Sequence, residues 1–258
     1  MIAMAHRGGA LHPEIPGTEN TLHAFAHAVA LGYGYLETDV HATSDGVLLA
    51  FHDAALDRVT DLTGRLSELT ADQVSVARVR GEHPVPSMAE LLEEFPDVRF
   101  NIDLKSMTAV QPLADLLDST GSEPRVCIGS FSQRRLDAFR RATGGRVATS
   151  ASPQEVGLFL ATPSGRAARL LTRGRVAALQ VPHRRGPVPV VTRELVRRAH
   201  AARVHVHVWT VDEPTEIEEL LDLGVDGLIT DRTDVLKDVL TRRRLWSGAT
   251  SGPRKDPR

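Results

Sequence analysis

The sequence has little of several features that would mark a specialised class of protein. Cys127 is its single cysteine, so an internal disulfide is excluded. No run approaches the 18 consecutive apolar residues of a membrane-spanning helix. Neither sign of charge prevails, since 31 Lys and Arg oppose 33 Asp and Glu for a net charge of −2. This balance predicts neither a nucleic-acid partner nor stable membrane insertion.

The amino terminus also lacks the signature of a secretory leader. Residues 1–5 (Met-Ile-Ala-Met-Ala) run directly into His6-Arg7, with no charged segment and no long apolar segment, which favours a cytoplasmic location. The 258 residues are 41% hydrophobic, enough for one large core without a disulfide or metal. Against this ordinary composition, 11 histidines are unusual, and several stand beside acidic residues.

Short β-rich runs alternate with amphipathic helical patterns along most of the chain. Such alternation predicts parallel strands with helices packed outside them. The predicted helices include Glu19–Leu31, Met88–Phe95, Ser132–Thr143 and Pro214–Leu223, each followed by Gly or Pro. The predicted strands are Ile2–His6, Tyr35–Asp39, Val47–His52, Val98–Leu104, Val126–Ser130, Val147–Ser150, Val176–Val181, Val204–Thr210 and Gly227–Thr230.

One of these nine strands cannot belong to a closed parallel sheet. Asp45-Gly46 is a strong hairpin turn, and too few residues separate Asp39 from Val47 for a helical crossover. The run Val47–His52 must therefore return antiparallel. Eight parallel strands remain, which predicts a single (β/α)8 barrel over residues 1–246 with a small subdomain, about 41–86, inserted after the second strand. The basic, Gly- and Pro-containing residues 247–258 are expected to form a flexible tail.

Reactive side chains cluster at the predicted carboxyl ends of the strands, where barrel enzymes carry their active sites. Glu37 and Asp39 share one face of their strand, and Asp103 follows on the next. Three converging carboxylates repel one another unless a cation lies among them. Oxygen ligands suit one divalent cation, Mg²⁺ or Ca²⁺, with Mn²⁺ as a further choice. The alternative is that each acid pairs with a base such as Arg7 or Lys105.

The same mouth carries cations and imidazoles. Arg7 and Lys105 are suited to bind a phosphate or carboxylate. His6 and His52 lie on opposite sides of the mouth and are suited to act as general acid and base, because imidazole titrates near neutral pH. Acid, base and positive charge together are what an in-line displacement at phosphorus requires.

The motifs, taken together, resemble those of the glycerophosphodiester phosphodiesterase family. They occur in the family's order and cover most of the chain. They are His6-Arg7-Gly8-Gly9, Glu19-Asn20-Thr21, Glu37-Thr38-Asp39-Val40, Asp45-Gly46, His52-Asp53, Leu56-Asp57-Arg58, Asn101-Ile102-Asp103-Leu104-Lys105, Ser130-Phe131, Trp209-Thr210-Val211-Asp212, Gly224-Val225-Asp226-Gly227 and Thr230-Asp231.

This resemblance implies hydrolysis of a glycerophosphodiester to an alcohol and glycerol 3-phosphate. It implies His6 and His52 as the acid–base pair and a metal on Glu37, Asp39 and Asp103. By the same resemblance, Arg7 and Lys105 would hold the phosphate and Trp209 would pack on the glycerol or the alcohol. Attack by the substrate's own 2-hydroxyl, through a cyclic phosphate, is favoured over direct attack by water.

Two positions depart from the family pattern. Asp103 stands where the family usually has Glu, so this carboxylate is one methylene shorter. Thr18 replaces a proline before Glu19-Asn20-Thr21 and is expected to cap the following helix. Glu19 either borders the substrate site or favours the amino terminus of that helix, and the substrate site is preferred.

Other histidines invite a functional interpretation without requiring one. His23 and His27 have the i, i+4 spacing of a metal pair, but they lack a third ligand in sequence and are predicted to be solvent-exposed. His205 and His207 are interpreted as core imidazoles. His12 and His41 lie near the rim as supporting groups, and His183-Arg184-Arg185 is expected in an exposed loop over 182–191.

Competing functions use the same barrel. A lysophospholipase D-like activity needs an apolar surface around the mouth, whereas the insert carries Arg65, Glu68, Asp72, Arg78 and Arg80. A non-catalytic phosphodiester-binding barrel is disfavoured because both histidines and all three acids are present. A metal-dependent sugar isomerase leaves the histidine motifs unexplained. The sequence does not indicate the head-group alcohol or the oligomeric state.

Overall fold

The computed structural model describes residues 1–248, so most of the predicted tail at 247–258 lies outside the described residues. Eight parallel strands close into a barrel, because the first strand, Ile2–His6, pairs with both the second, Tyr35–Ala42, and the last, Gly227–Thr230. The predicted (β/α)8 architecture is therefore confirmed. The barrel strands are β1 (Ile2–His6), β2 (Tyr35–Ala42), β6 (Arg99–Leu104), β7 (Val126–Gly129), β8 (Ala148–Ser150), β9 (Val176–Pro182), β12 (His205–Trp209) and β13 (Gly227–Thr230).

Apart from one short helix in the insert, the helices surround the barrel and bury their apolar faces against it. Several begin at a Ser or Thr whose side chain accepts the backbone N–H three residues on, as Ser87 does before the third helix. The helices are α1 (Leu22–Ala30), α2 (Ala71–Val74), α3 (Met88–Glu94), α4 (Val110–Ser119), α5 (Gln133–Ala142), α6 (Pro153–Ala161), α7 (Gly165–Leu171), α8 (Arg193–Ala201), α9 (Pro214–Leu223) and α10 (Thr233–Arg242). None of the helices within residues 1–248 is long and apolar enough to cross a membrane.

The segment between β2 and α3 departs from the barrel. Its strand β3 (Leu48–Ala50) pairs antiparallel with the end of β2, as the Asp45-Gly46 turn predicts, although it is shorter than the predicted Val47–His52. Farther on, β4 (Arg78–Val79) and β5 (His83–Pro84) form a short antiparallel ribbon. The segment has a small core separate from that of the barrel, formed by Leu49, Phe51, Leu56, Leu66, Val74 and Ala77.

The first helix begins later than predicted. Asn20 adopts the left-handed conformation (φ +56°), which interrupts a helix, so α1 begins at Leu22 rather than Glu19. Thr21, not Thr18, is the cap, and its hydroxyl accepts the N–H of Ala24 at 3.1 Å. The loop from β1 to α1 thus keeps Glu19 and Asn20 in irregular backbone, facing the ends of the strands.

The predicted loop at 182–191 also has more structure than expected. Strands β10 (Arg184–Arg185) and β11 (Val188–Pro189) form a short hairpin over the end of β9. His183 is buried, with its Nδ1 2.8 Å from Glu216 Oε1. The expectation that His183 lies in an exposed loop is therefore wrong, because helix α9 supplies a carboxylate partner that is distant in sequence.

Candidate active site

A cavity of about 750 Å³ opens at the carboxyl ends of the barrel strands. Its walls come from every part of the barrel, because parallel strands bring their carboxyl ends to one side. Eight of the nine residues predicted for the site line this cavity, and Glu19 is the one that does not. Trp209 is one of the eight, and the other seven are charged or titratable. These seven are His6, Arg7, Glu37, Asp39, His52, Asp103 and Lys105.

The loop after β1 is folded tightly so that His6 and Arg7 face the cavity. Arg7 has a positive φ of 49°, and its backbone joins two neighbours: its N–H donates to Glu37 O at 2.9 Å, and its carbonyl accepts Asn20 N at 2.9 Å. Gly8 follows at φ +89°, where a Cβ would lie 2.6 Å from the Cβ of Ala24. Glycine is thus required both by the backbone conformation and by the close approach of α1.

His6 is held by carboxylates on two sides. Its Nδ1 lies 2.9 Å from Asp231 Oδ1 at the end of β13, and its Nε2 lies 3.8 Å from Glu37 Oε2. Burial lowers the pKa of His6, but the charge of Glu37 and the hydrogen bond and charge of Asp231 more than offset this, so the pKa is raised overall. With Nδ1 engaged by Asp231, Nε2 is the nitrogen left to exchange a proton.

His52 is oriented in the same way from the inserted segment. Its Nδ1 lies 2.6 Å from Asp53 Oδ1, and the other oxygen of Asp53 accepts the Nε–H of Arg58. The ring of His41 adds a further hold, since its Nε2 lies 3.1 Å from the carbonyl of His52. Both predicted acid–base histidines thus use a carboxylate at Nδ1, the arrangement that fixes tautomer and ring orientation, and neither Nε2 has a hydrogen bond to any residue within 1–248.

Glu19 joins the two halves of the mouth without lining the cavity. It accepts two hydrogen bonds from Arg58, at 2.8 and 2.7 Å, and one from Arg7 Nη1 at 3.2 Å. Burial raises the pKa of Glu19, but the Arg58 hydrogen bonds and the charge of Arg7 outweigh burial and lower the pKa overall, so the carboxylate stays ionised. Its contacts place Glu19 behind Arg7, between the barrel and the insert.

The three predicted metal ligands line the same cavity from two neighbouring strands. Asp39 on β2 pairs in register with Asp103 on β6, and Glu37 lies two residues earlier on the same face of β2. Burial and then the charge of Asp39 raise the pKa of Glu37 to about 7. Burial likewise raises the pKa of Asp103. Burial thus disfavours the ionised form of two of the three acids, and a bound cation would stabilise that form.

Basic side chains also reach these acids. Lys105 Nζ lies 2.9 Å from Asp39 Oδ1 and 2.7 Å from Asp103 Oδ2, and Arg7 Nε lies 3.1 Å from Asp39 Oδ2. For Asp39, these cations outweigh burial and lower the pKa. The alternative of acid–base pairing therefore describes Asp39 and Asp103 in part. Among the described residues, Glu37 has no Lys or Arg side chain within 4 Å, and its nearest basic group is His6 Nε2 at 3.8 Å. The donor set fits an oxygen-preferring divalent cation.

One side of the mouth is apolar. Phe131 and Trp209 pack edge to face with ring centroids 5.7 Å apart. Val156 and Leu160 of α6 extend this wall, and Phe131 and Leu160 are 62% and 48% exposed. Trp209 thus lies where this apolar wall meets the cavity.

The remaining histidines separate into distinct environments. His23 is exposed as predicted and stacks on His83 of the insert. His27 is largely covered, because Glu14 and His12 contact it, so the prediction of solvent exposure for His27 is wrong. His207 is a core imidazole as predicted, buried in the barrel interior beside Gln180, whose amide donates to Asn101. The same interpretation is wrong for His205, which is exposed at the start of its strand.

Four residues that the sequence reasoning left without a role support the site. Asp231 and Asp53 orient the two histidines, and Arg58 joins Asp53 to Glu19. Asn20 donates to Asp39 Oδ2 at 3.2 Å and accepts the hydroxyl of Thr38. Each lies inside a motif that carries the family resemblance, and membership in those motifs is the sequence signal for all four.

Fold and site together define a phosphoric diester hydrolase built on a (β/α)8 barrel, with paired histidines, carboxylates and cations at the strand ends. The sequence model of the glycerophosphoryl diester phosphodiesterase family matches residues 6–235, and the chain belongs to that family.

Individual relatives agree with this assignment. A Mycobacterium tuberculosis protein named "Probable glycerophosphodiester phosphodiesterase 2" is 42% identical over 250 residues, which are 96% of this chain and 94% of that protein. A solved glycerophosphodiester phosphodiesterase from Agrobacterium tumefaciens is 21% identical, with a TM-score of 0.75 over 92% of this chain and 99% of that one. An Oleispira antarctica phosphodiesterase, solved with the product sn-glycerol-3-phosphate, has a TM-score of 0.76 at 19% identity and covers 93% of this chain and 97% of its own. The last two likenesses bear on the fold.

Proposed function

We propose that the chain hydrolyses glycerophosphodiesters to an alcohol and glycerol 3-phosphate, with His6 and His52 as the acid–base pair. The observation that carries this proposal is their shared geometry. Each Nδ1 is engaged by a carboxylate, Asp231 for His6 and Asp53 for His52, and both rings line the same cavity. The name of the Mycobacterium tuberculosis relative and the product bound to the Oleispira antarctica enzyme support the same substrate class.

The phosphate is assigned to the cationic side of the cavity. Arg7 and Lys105 line it, and each is fixed from behind by Asp39. Such fixing keeps a cation oriented before substrate arrives, so less conformational entropy is lost when the phosphate binds. Trp209 is assigned to the glycerol or the alcohol, because it is at the boundary between this polar region and the apolar wall.

Glu37, Asp39 and Asp103 would hold one divalent cation, Mg²⁺ or Ca²⁺, with Mn²⁺ as a further choice. When bound, the cation supplies positive charge that stabilises the negative charge developing on the phosphoryl oxygens. Asp103 and Lys105 make an ion pair on the same strand end, so the shorter carboxylate is held toward Asp39 by a residue of this chain. We expect EDTA to abolish hydrolysis and one of the three cations to restore it.

The attacking group remains one of two candidates. In one, a histidine takes the proton of the substrate's glycerol 2-hydroxyl, whose oxygen attacks phosphorus, and the other histidine protonates the leaving alcohol. The resulting cyclic phosphate is then opened by water. Intramolecular attack is favoured by proximity, with effective molarities of about 10⁵ M or more in favourable models. In the other, water attacks directly. Trapping a cyclic glycerol phosphate during turnover distinguishes them.

The decisive assay measures glycerol 3-phosphate released from a panel of glycerophosphodiesters with EDTA, Mg²⁺, Ca²⁺ or Mn²⁺ in turn. His6→Ala and His52→Ala should each lower kcat by about 10²-fold or more, the usual contribution of a general acid or base. The matched control is His200→Ala, which removes a histidine paired with Asp226 at 2.9 Å at the opposite end of the barrel and should retain activity. Absence of release from every diester with every cation would contradict the proposal.

A lysophospholipase D-like reaction is the second candidate, and the apolar wall favours it. The insert is polar, as the sequence predicts, but the opposite side of the mouth presents Phe131, Val156, Leu160 and Val190. An acyl chain on the glycerol could pack there and gain about 25 cal/mol for each Å² of apolar surface buried. Choline release from lysophosphatidylcholine, compared with release from glycerophosphocholine, separates the two substrate classes.

A further inference from the structure

A second cluster of metal-ligating side chains lies outside the cavity, where the loop after β1 meets α1. His27 Nε2 on α1 lies 3.0 Å from Glu14 Oε2 on the loop, and the rings of His12 and His27 are 4.4 Å apart between centroids. One donor atom from each of His12, Glu14 and His27 lies within 4.8 Å of the others. None of the three lines the catalytic cavity.

The donor atoms of the cluster have few partners outside it. Nδ1 of His12 accepts the backbone N–H of Glu14 at 3.2 Å, so a cation that takes this lone pair replaces that one hydrogen bond. His27 Nδ1 is buried without a hydrogen-bond partner among the described residues, which is unusual for an imidazole. The Glu14 side chain is 74% exposed, whereas His12 is 6% exposed, so the cluster has a fixed buried side and one movable carboxylate that faces solvent.

The spacing matches the needs of a small borderline-soft cation. In a tetrahedral zinc site with ligand bonds of about 2.0–2.1 Å, neighbouring donor atoms are roughly 3.3 Å apart. The Glu14–His27 contact already has about this separation, and rotation of the exposed Glu14 side chain can bring its carboxylate between the rings. Two imidazoles and one carboxylate suit Zn²⁺, unlike the all-oxygen set of Glu37, Asp39 and Asp103.

We propose that His12, Glu14 and His27 form a zinc site, separate from the cation proposed for Glu37, Asp39 and Asp103, with the fourth coordination position open to water. A cation here fastens the loop that carries Glu19 and Asn20 to the helix that follows it. Its role is structural, because the cluster does not line the cavity where the substrate is assigned.

The test is a zinc titration by calorimetry on the full chain, dialysed against EDTA and then saturated with Ca²⁺ to fill the all-oxygen site. Wild type should bind one Zn²⁺. His27→Gln should weaken the affinity at least about 100-fold, since changes to outer-shell residues alone cost about 10–100-fold. His23→Gln is the matched control, because it changes a histidine one turn earlier on α1 that stacks on His83 and should leave binding intact.

Two further measurements make the outcome independent of hydrolysis. Co²⁺ in place of Zn²⁺ should give the visible absorption of a tetrahedral site in wild type and in His23→Gln, but not in His27→Gln. Zinc about 100-fold above Kd should raise Tm of wild type by about 5 °C and leave Tm of His27→Gln unchanged. Equal zinc stoichiometry and affinity in wild type and His27→Gln would overturn the proposal, as would the absence of zinc binding to wild type.

Discussion

At the scale of single residues, the site depends on carboxylates that orient imidazoles. Asp231 and Asp53 each engage one Nδ1, at 2.9 and 2.6 Å. A carboxylate at this position favours the tautomer with hydrogen on Nδ1 and stabilises the imidazolium that forms when Nε2 accepts a proton. The two residues are therefore positioning residues that act through His6 and His52.

Asp231→Asn should lower kcat by roughly 10²-fold or more while changing KM little, because the amide can donate to Nδ1 and so stabilise the wrong tautomer of His6. Asp231 also raises the pKa of His6, so its removal should move the pH–rate limb due to His6 to lower pH. Steady-state kinetics across pH provide the measurement. Asp238→Asn, on the exposed face of α10, is the control. An unchanged pH profile with a normal kcat would remove Asp231 from this role.

The sequence predicts the reactive side chains of the site, but it does not predict which residues hydrogen-bond to them. His6, Glu37, Asp39, His52, Asp103 and Lys105 are recognisable because reactive types follow predicted strands. Asp231 is 225 residues from His6 along the chain, so no local spacing indicates their contact. The i, i+4 spacing of His23 and His27 is that of a metal pair, but the two rings do not share a partner. His27 instead contacts Glu14 and His12 on the preceding loop.

At the scale of elements, the insert and the β1–α1 loop are tied through one side chain. Arg58, in a helical turn of the insert, donates to Glu19 of the loop and to Asp53 beside His52. Glu19 in turn contacts Arg7, whose Nε reaches Asp39. This series of ion pairs adds to the hydrogen bonds that hold His52 against β2, which are those of His41 Nε2 with the His52 carbonyl and of Phe51 N with Asp39 O.

Arg58→Lys should lower kcat about tenfold or more with a smaller effect on KM, because an ammonium cannot reproduce a planar fork that reaches both carboxylates. The retained charge makes this a test of geometry. Arg65→Lys is the control within the insert, since Arg65 is largely exposed and is 4.0 Å from Glu68. If both variants showed the same kinetics, the position of His52 would not depend on Arg58.

The loop after β1 depends on close packing as well as backbone conformation, and two glycines separate these effects. Gly8 and Gly46 have nearly the same φ, +89° and +86°, but only Gly8 has neighbours where a Cβ would be. Gly46→Ala should cost about 1 kcal/mol of unfolding free energy from the positive φ alone. Gly8→Ala should cost roughly 3 kcal/mol or more, because α1 must move. Urea unfolding measures both, and equal losses would contradict the packing argument.

At the scale of the whole molecule, the near-zero net charge is an average over unlike regions. Acids and cations converge at one end of the barrel, while its interior holds a layer of neutral polar groups that includes His207, Gln180 and Asn101. Burial, followed by the charge of His205, lowers the pKa of His207 to about 4, so this ring stays neutral in the folded protein near neutral pH.

His207 should make global stability depend on pH. Its pKa is about 6.5 in the unfolded chain and about 4 in the folded protein, so the unfolded state binds more protons between these values. The contribution of His207 is thus present above pH 6.5 and is lost as pH falls from 6.5 to 4, by about 3 kcal/mol in total. As pH is lowered through this range, the free energy of unfolding should therefore fall less steeply for His207→Gln than for wild type.

Denaturant unfolding between pH 4.5 and 7 measures these slopes. His205→Gln is the matched control, because His205 is on the same strand but exposed, and it should keep most of the wild-type dependence. Equal slopes in wild type and His207→Gln would show that the ring is not held neutral by burial.

The sequence by itself determined the barrel, the antiparallel excursion after β2 and the family, because strand periodicity, the Asp45-Gly46 turn and the motifs are local properties of the chain. It also determined which reactive groups gather at the strand ends, since parallel strands share one carboxyl edge. Only the tertiary structure decided which groups touch: Asp231 with His6, Arg58 with Glu19, Lys105 with both Asp39 and Asp103, and His27 with His12 and Glu14. Apart from the contact between Lys105 and Asp103, these contacts join segments separated along the chain, and no local pattern specifies the packing that brings them together.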